Sequence, residues 1–328
     1  MCEANRAGSF ETAAQLANSL AGLRITAKQV QLLTERVGAV QARQRDAATE
    51  VFLEHRRSPA PCEVPIPLLV ITADGGRVQT IQDDPEEKWK EDKVGVVYDA
   101  VPTPEQPGVE YHGPKPGIRS IVATMDPWET LGGHLSTLAN RRGYSHAQNK
   151  VFISDGATGI RSVRDSSFPD AAFVLDWAHA AEHVHQTAQA AFGNSPQAES
   201  WAEQQKTRLW NGQLDLLLRD LAKLAKKLGP PPPKAAKNDP RRILANQFDY
   251  FSTNRDGLDY PTFRKRGWPI GSGIVESTIK QIAKRVKGTE KHWTIKGAEY
   301  TLQVVAHLLS EDQSWQLFWA NNPCLRAA

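Results

Sequence analysis

Cysteine is scarce in this chain. Cys2, Cys62 and Cys324 are far apart and none stands at C-x-x-C spacing, which excludes a disulfide framework and a thiolate zinc site. Three free thiols are expected. Long apolar runs are also missing: the longest, around Ile66 to Ala73, falls far short of the roughly 20 residues of a membrane span. Met1 to Asn18 lacks the apolar core of a signal peptide, so the expected location is cytoplasmic. There is no internal repeat, and no low-complexity tract beyond the prolines starting at Pro230.

Net charge is small at +3, but it is unevenly spread. Asp83 to Asp92 is acidic, whereas Arg264 to Lys296 holds nine basic residues against Glu276 and Glu290. Local basicity of that kind suggests a polyanionic partner. At 328 residues and 40% hydrophobic content, the chain suits one large domain with an appendage, or two domains.

The first sixty residues read as helical. Ser9 is a cap, Gly22 a break, and Thr26 the cap of a second helix running to about Glu54. This outline fits a helix-turn-helix with Lys28, Gln29 and Gln31 facing a major groove; two ordinary packed helices fit it equally. HRRSPAPCEVP then marks a boundary. From Pro65 the texture changes to strands: IPLLVITADGGRVQTI with its apolar run ending at Asp74, then KVGVVYDAV, then IRSIVATMD, three runs that suggest a meander.

A helix from Pro127 to about Arg142 follows, then KVFISDGATGI with a strand ending at Asp155, a short helix, and AAFVLDWAHAAEHV, a strand passing into a helix. The order is β-β-β-α-β-α-β-α. Everything after about Ala190 reads as helical: Gln197 to Leu228, broken by Pro230, then Pro240 to Thr253, and a last apolar helix from Ile295 to Leu309. The expected divisions are 1–62 (helical, DNA-binding), 63–190 (first part of an α/β core), 191–262 (all-helical insertion) and 263–328 (core completion).

GWPIGSGIVESTIKQIAKRVKG, Gly267 to Gly288, is the most unusual segment. Ser272 is the expected N-cap, Val275, Ile279, Ile282 and Val286 form one helical face, and Glu276, Lys280, Lys284 and Lys287 the other. Glu276 and Lys280 alone read as an i,i+4 ion pair worth about 0.3–0.5 kcal/mol. Asp74 and Asp155, each an aspartate before glycine after an apolar run, read alone as turns. At the ends of adjacent central strands, however, they would share one crevice and repel unless a cation lay between them, and hard oxygen donors select magnesium or manganese.

Taken together, VITADGGRVQT, FISDGATGI, FVLDWAHAAEHV and GWPIGSGIVESTIKQIAKRVKG resemble bacterial insertion-sequence transposases of the Kra family, distantly related to the Mutator-like group. The resemblance runs from roughly Ser9 to Leu309. It implies a ribonuclease-H-like fold with Asp74, Asp155 and Glu276 as a DDE triad holding two Mg2+ or Mn2+ ions. Asp176 and His179 match the supporting D-x-x-H signature. The implied activity is metal-dependent cleavage and strand transfer of DNA at transposon ends, the enzyme acting as a homo-oligomer when two ends are paired. Lys280, Lys284, Arg285 and Lys287 are the expected phosphate contacts, while Trp293 is expected to pack. Such enzymes usually carry a longer amino-terminal part, so a truncated or inactive DNA-binding descendant is the alternative. A rival pattern is HAAEH, His179 to His183 with Glu182, the H-x-x-E-H of a zinc metallopeptidase. It lacks an evident third ligand and leaves the aspartates and the basic helix unexplained.

Overall fold

The structure is a computed structural model and describes residues 8–55, 65–82, 87–288 and 291–325. Cys2, Cys62, the expected boundary over 56–64, part of the acidic stretch (83–86) and Glu290 lie outside the described residues. Cys324 is a free, exposed thiol. Among the described residues no helix is long and apolar enough to cross a membrane.

Five strands form a mixed sheet in the order β3-β2-β1-β4-β5. They are β1 (Leu68–Gln79), β2 (Trp89–Ala100), β3 (Pro116–Thr124), β4 (Lys150–Ser154) and β5 (Ala172–Leu175). β1, β2 and β3 pair antiparallel as the expected meander, whereas β4 and β5 join in parallel. Leu68 to Ile71 of β1 are all fully buried, as a continuous apolar run requires when both faces of a sheet are covered.

One expectation needs correcting. β1 does not stop at Asp74: it continues through Gly75 and Gly76 to Gln79, in unbroken register with β2. The two glycines make no turn. A Cβ on Gly75 would stand 2.6 Å from Glu91 Oε1, and one on Gly76 would stand 2.5 Å from Asp92 Oδ1, so their bareness lets these acids lie across the ribbon. What ends near Asp74 is the parallel pairing, since β4 accompanies β1 only from Leu69 to Thr72.

Helices cover the sheet. α3 (Trp128–Arg141) packs on β2 and β3, and α10 (Gly273–Val286) packs on β1 and β2. α11 (Ile295–Leu309) closes the outer edge of β3: Gln303 Nε2 donates to the Ala123 carbonyl at 2.8 Å, and the Ile121 N–H donates to Ser310 Oγ at 2.9 Å. An edge occupied this way offers little to another chain. α4 (Thr158–Ser167) and α5 (Trp177–Phe192) follow β4 and β5, and α6 (Pro196–Trp210), α7 (Leu214–Leu228), α8 (Pro240–Thr253) and α9 (Tyr260–Lys265) form the all-helical segment before α10. That segment rests on α5 through α6 and α8. α12 (Ser314–Asn321) is the last described α-helix, followed by a 3-10 turn at Pro323–Leu325.

At the amino terminus, α1 (Phe10–Ala21) is capped by Ser9 and stopped by Gly22 at φ +62°, as read from sequence. α2 (Ala27–His55) is 29 residues long, about 43 Å at 1.5 Å per residue. It lies against α11, where Val37 packs with Val304 and Arg45 Nη1 pairs with Glu299 at 2.7 Å. A helix so docked is a strut of the core as well as the second element of a helical pair.

Gly38 marks the closest approach of α2 to α11, because a Cβ there would overlap the backbone carbonyl of Tyr300. Gly38→Ala should therefore destabilise the protein by about 2–3 kcal/mol, the range for overpacking, seen as a lowered Tm. Gly22→Ala meets nothing within 4 Å and incurs only the positive-φ cost, about 1–2 kcal/mol. Equal melting points for Gly38→Ala and the unaltered protein would contradict this docking.

Candidate active site

Three acids from distant parts of the sequence meet at one end of the sheet. Asp74 stands within β1, Asp155 directly after β4, and Glu276 in the first turn of α10. Asp74 reports the convergence. Burial is the main cause raising its pKa from 3.8 to about 6; the Gly75 N–H bond lowers it, Asp155 and Glu276 push it further up, and His179 draws it down.

Asp176 holds the parts together. It is 1% exposed and caps α5, accepting the His179 N–H at 2.9 Å on Oδ1, while Oδ2 accepts the Ser272 N–H. Its own N–H donates to the Ser154 carbonyl at 2.8 Å, and the Trp177 N–H donates to the Ile270 carbonyl at 2.8 Å. Asp176 thus joins the end of β4 through its backbone, and the start of α5 and the turn that launches α10 through its carboxylate. Ser272 was expected to cap α10 with its side chain and does not; its backbone N–H is the anchoring group. Its hydroxyl stands 3.5 Å from Glu276 Oε1.

Glu276 is shared among several partners. His179 Nε2 lies 4.0 Å from Oε1 and Lys280 Nζ 3.8 Å from Oε2, so the i,i+4 ion pair is formed. Asp155 Oδ1 accepts the Ala157 N–H at 2.9 Å and Asp74 Oδ1 the Gly75 N–H at 2.6 Å. Among the described residues, no three histidine, cysteine or acidic side chains are gathered as a ready metal shell. Carboxylate oxygens are nevertheless the donor type a hard divalent cation takes, and Asp155 and Glu276 each add to a pKa of Asp74 that burial chiefly raises.

Tyr250 of α8 was not singled out by the sequence. Its hydroxyl donates to the Asp155 carbonyl at 2.9 Å, and its ring stacks on His183 with centroids 3.6 Å apart. His183 Nδ1 also meets Gln247 Oε1 at 2.7 Å, so this ring of the HAAEH pattern is engaged in holding the helical segment against α5. That packing accounts for His183 without zinc. No local signal marks Tyr250, since its partners lie 67 and 95 residues away.

The expected DNA contacts separate. Lys284 is exposed and Lys287 half-buried, whereas Lys280 lies beside Glu276. Arg285 is a correction: it is 3% exposed, with its guanidinium 3.9 Å from the Phe10 ring centroid and 5.5 Å from that of Trp293. Burial lowers its pKa to about 10. Trp293 packs as expected, donating from Nε1 to the Val286 carbonyl at 2.8 Å. In α2, Lys28 is exposed and reaches Gln31 Oε1 at 3.2 Å. Gln29 is exposed as well, and its Oε1 accepts the Thr26 N–H at 2.9 Å while its own N–H donates to Thr26 Oγ1 at 3.3 Å, closing a capping box.

The Asp74 shift has a testable sign. With its folded pKa near 6 and its unfolded value 3.8, the native state binds the extra proton between those values, so stability falls as pH rises through the window. Asp74→Asn should therefore stabilise the metal-free protein at pH 8 by about 1–2 kcal/mol, solvent screening having reduced the full effect, and leave it unchanged at pH 3. Thermal melts in EDTA at both pH values check this; a loss of stability at pH 8 would refute the raised pKa of Asp74.

No protein-family model matches the sequence, and no curated protein matches it. Among solved structures the chain is similar to the Drosophila P element transposase strand transfer complex, at 13% identity and a TM-score of 0.36, over 78% of this chain and 80% of that one. A likeness so distant carries no argument, and the functional reading rests on the site itself.

Proposed function

We propose that this chain is a DDE-type transposase with a ribonuclease-H-like core, allied to the Kra insertion-sequence family. The observation that carries the reading is the convergence of Asp74, Asp155 and Glu276 from two strands and a helix, with an all-helical segment between the second and third. These three would hold two Mg2+ or Mn2+ ions. Bound there, the ions would activate the attacking oxygen and stabilise the leaving one in an in-line phosphodiester displacement.

The chain's own residues prepare that displacement. Asp176 fixes the starts of α5 and α10 and so places His179 and Glu276 relative to the strands. The attacking oxygen forms the new P–O bond as the old 3′-oxygen departs; water serves in cleavage, and the freed 3′-hydroxyl in transfer to target DNA. Lys284 and Lys287, farther along α10, are the proposed contacts to flanking phosphates. Pairing of two transposon ends calls for a homo-oligomer.

A second reading, a descendant that binds DNA without cutting it, is favoured by one observation. Each of the three carboxylates already has a donor on its own segment, Gly75, Ala157 and Ser272 respectively. Cleavage separates the two readings. On supercoiled plasmid carrying the ends of the encoding element, Mg2+-dependent nicking is expected, and Asp74→Asn, Asp155→Asn and Glu276→Gln should each reduce it by roughly a hundredfold to a thousandfold. Nicking that survives all three substitutions would refute the proposed site. In binding assays, Lys284→Ala and Lys287→Ala should each reduce the salt slope by about 0.9, while Arg285→Gln should lower Tm and leave the slope unchanged.

A further inference from the structure

A cavity of about 200 Å³ lies between α2, α3, α11 and α12, and none of its lining belongs to the candidate active site. The helix faces that enclose it are polar where packed helices are ordinarily apolar: α2 contributes Gln41, Arg45 and Thr49, α3 contributes His134, and α11 contributes Gln303 and His307. Gln41, Arg45 and Thr49 recur every four residues, as do Gln303 and His307, so each set falls on one stripe of its helix. Ile121 and Val122 of β3 and Phe318 of α12 complete the wall with apolar surface.

Most of the polar groups are already engaged. Arg45 pairs with Glu299 and with Asp46, each at 2.7 Å. Thr49 Oγ1 and His134 Nδ1 stand 2.9 Å apart, Gln303 Nε2 is taken by the Ala123 carbonyl, and His307 Nδ1 meets the Gln303 carbonyl at 3.0 Å. Burial keeps both imidazoles neutral at pH 7, with His134 pushed down to about 4 and His307 below its ordinary value. Gln41 is different. It is 1% exposed, and neither its Nε2 nor its Oε1 has a hydrogen-bond partner among the described residues, a costly state for a carboxamide in an interior.

The wall defines what would satisfy Gln41. Its buried charges are balanced in place, Arg45 by two carboxylates and Asp312 by Ser120 Oγ at 2.6 Å and the Ser314 N–H at 3.1 Å, so a charged occupant would find no free counterion inside. Arg141, the other ionic group of the lining, is exposed. The space is several times the roughly 30 Å³ of one water, and a water cluster would leave bonds unmade against Ile121, Val122 and Phe318. A carboxamide offers a donor and an acceptor side by side, and its complement is another amide presenting the same two groups in reverse.

We propose that this cavity binds one small uncharged molecule carrying a planar amide on an apolar body, the amide pairing with Gln41, whose flexible side chain turns into the space to meet it. The site stands independently of the transposase reading. Its occupant would touch four helices, so binding would strengthen the docking of α2 on α11.

The probe is benzamide, titrated calorimetrically into the full chain, with benzoate and toluene as its charged and its amide-free counterparts. Saturable one-to-one binding is expected with a Kd below about 1 mM, the scale for a ligand of few atoms, and both counterparts should bind about tenfold more weakly. Gln41→Leu should weaken benzamide about tenfold and leave toluene unchanged. Ala48 lines the cavity and is exposed, which puts it at the mouth; Ala48→Trp disturbs no bond of the interior, should abolish benzamide binding, and decides the matter if Gln41→Leu fails to fold. The proposal is overturned by absence of saturable benzamide binding, by benzoate binding more tightly than benzamide, by equal benzamide affinity in Gln41→Leu, or by undiminished affinity in Ala48→Trp. None of these outcomes bears on the transposase reading.

Discussion

The site depends on one buried carboxylate that the proposed chemistry does not use. Asp176 accepts N–H groups from both His179 and Ser272, and its backbone is bonded to Ser154 at the end of β4. Between α5 and α10 the chain passes through four helices, so something must define where it re-enters the core. A fully desolvated acceptor satisfied by backbone donors does so with little freedom, because leaving either side unpaired is costly. Glu276 owes its place to that junction.

The helical segment contributes more than spacing. Through Tyr250 it bonds to the backbone of Asp155, and through Gln247 and the Tyr250 ring it fixes His183 on α5. Asp155 is thereby supported on one side by β4 and on the other by α8, and Arg161 adds a bond to Asp256 at 2.8 Å. On the opposite flank, α2 and α11 lock together over the β3 edge. The acids are left at the seam between these two supports, where solvent is limited enough to raise the pKa of Asp74.

Much of this was legible in the sequence because it is local. Caps at Ser9 and Thr26, the order of strands and helices, and the strand end at Asp155 follow from turn chemistry and periodicity. Asp74 was placed at a strand end because Gly-Gly reads as a turn, whereas β2 pairs straight past it; strand length was set by the partner. Arg285 was grouped with its basic neighbours, although three residues past Ile282 it shares the apolar face of α10. Gln29 also closes a T-x-x-Q capping box that the sequence displayed. Tyr250 had no signal at all, because its role exists only once α8 reaches the Asp155 loop.

The central claim is that carboxylates from β1, the β4 loop and α10 form one cation site. Calorimetric titration with Mn2+ at pH 6.5, in two buffers of different ionisation enthalpy, addresses it directly. The account predicts binding accompanied by proton release, weakened by Glu276→Gln, with the release lost in Asp74→Asn. Mn2+ binding with the same affinity and the same proton release in both variants would contradict it.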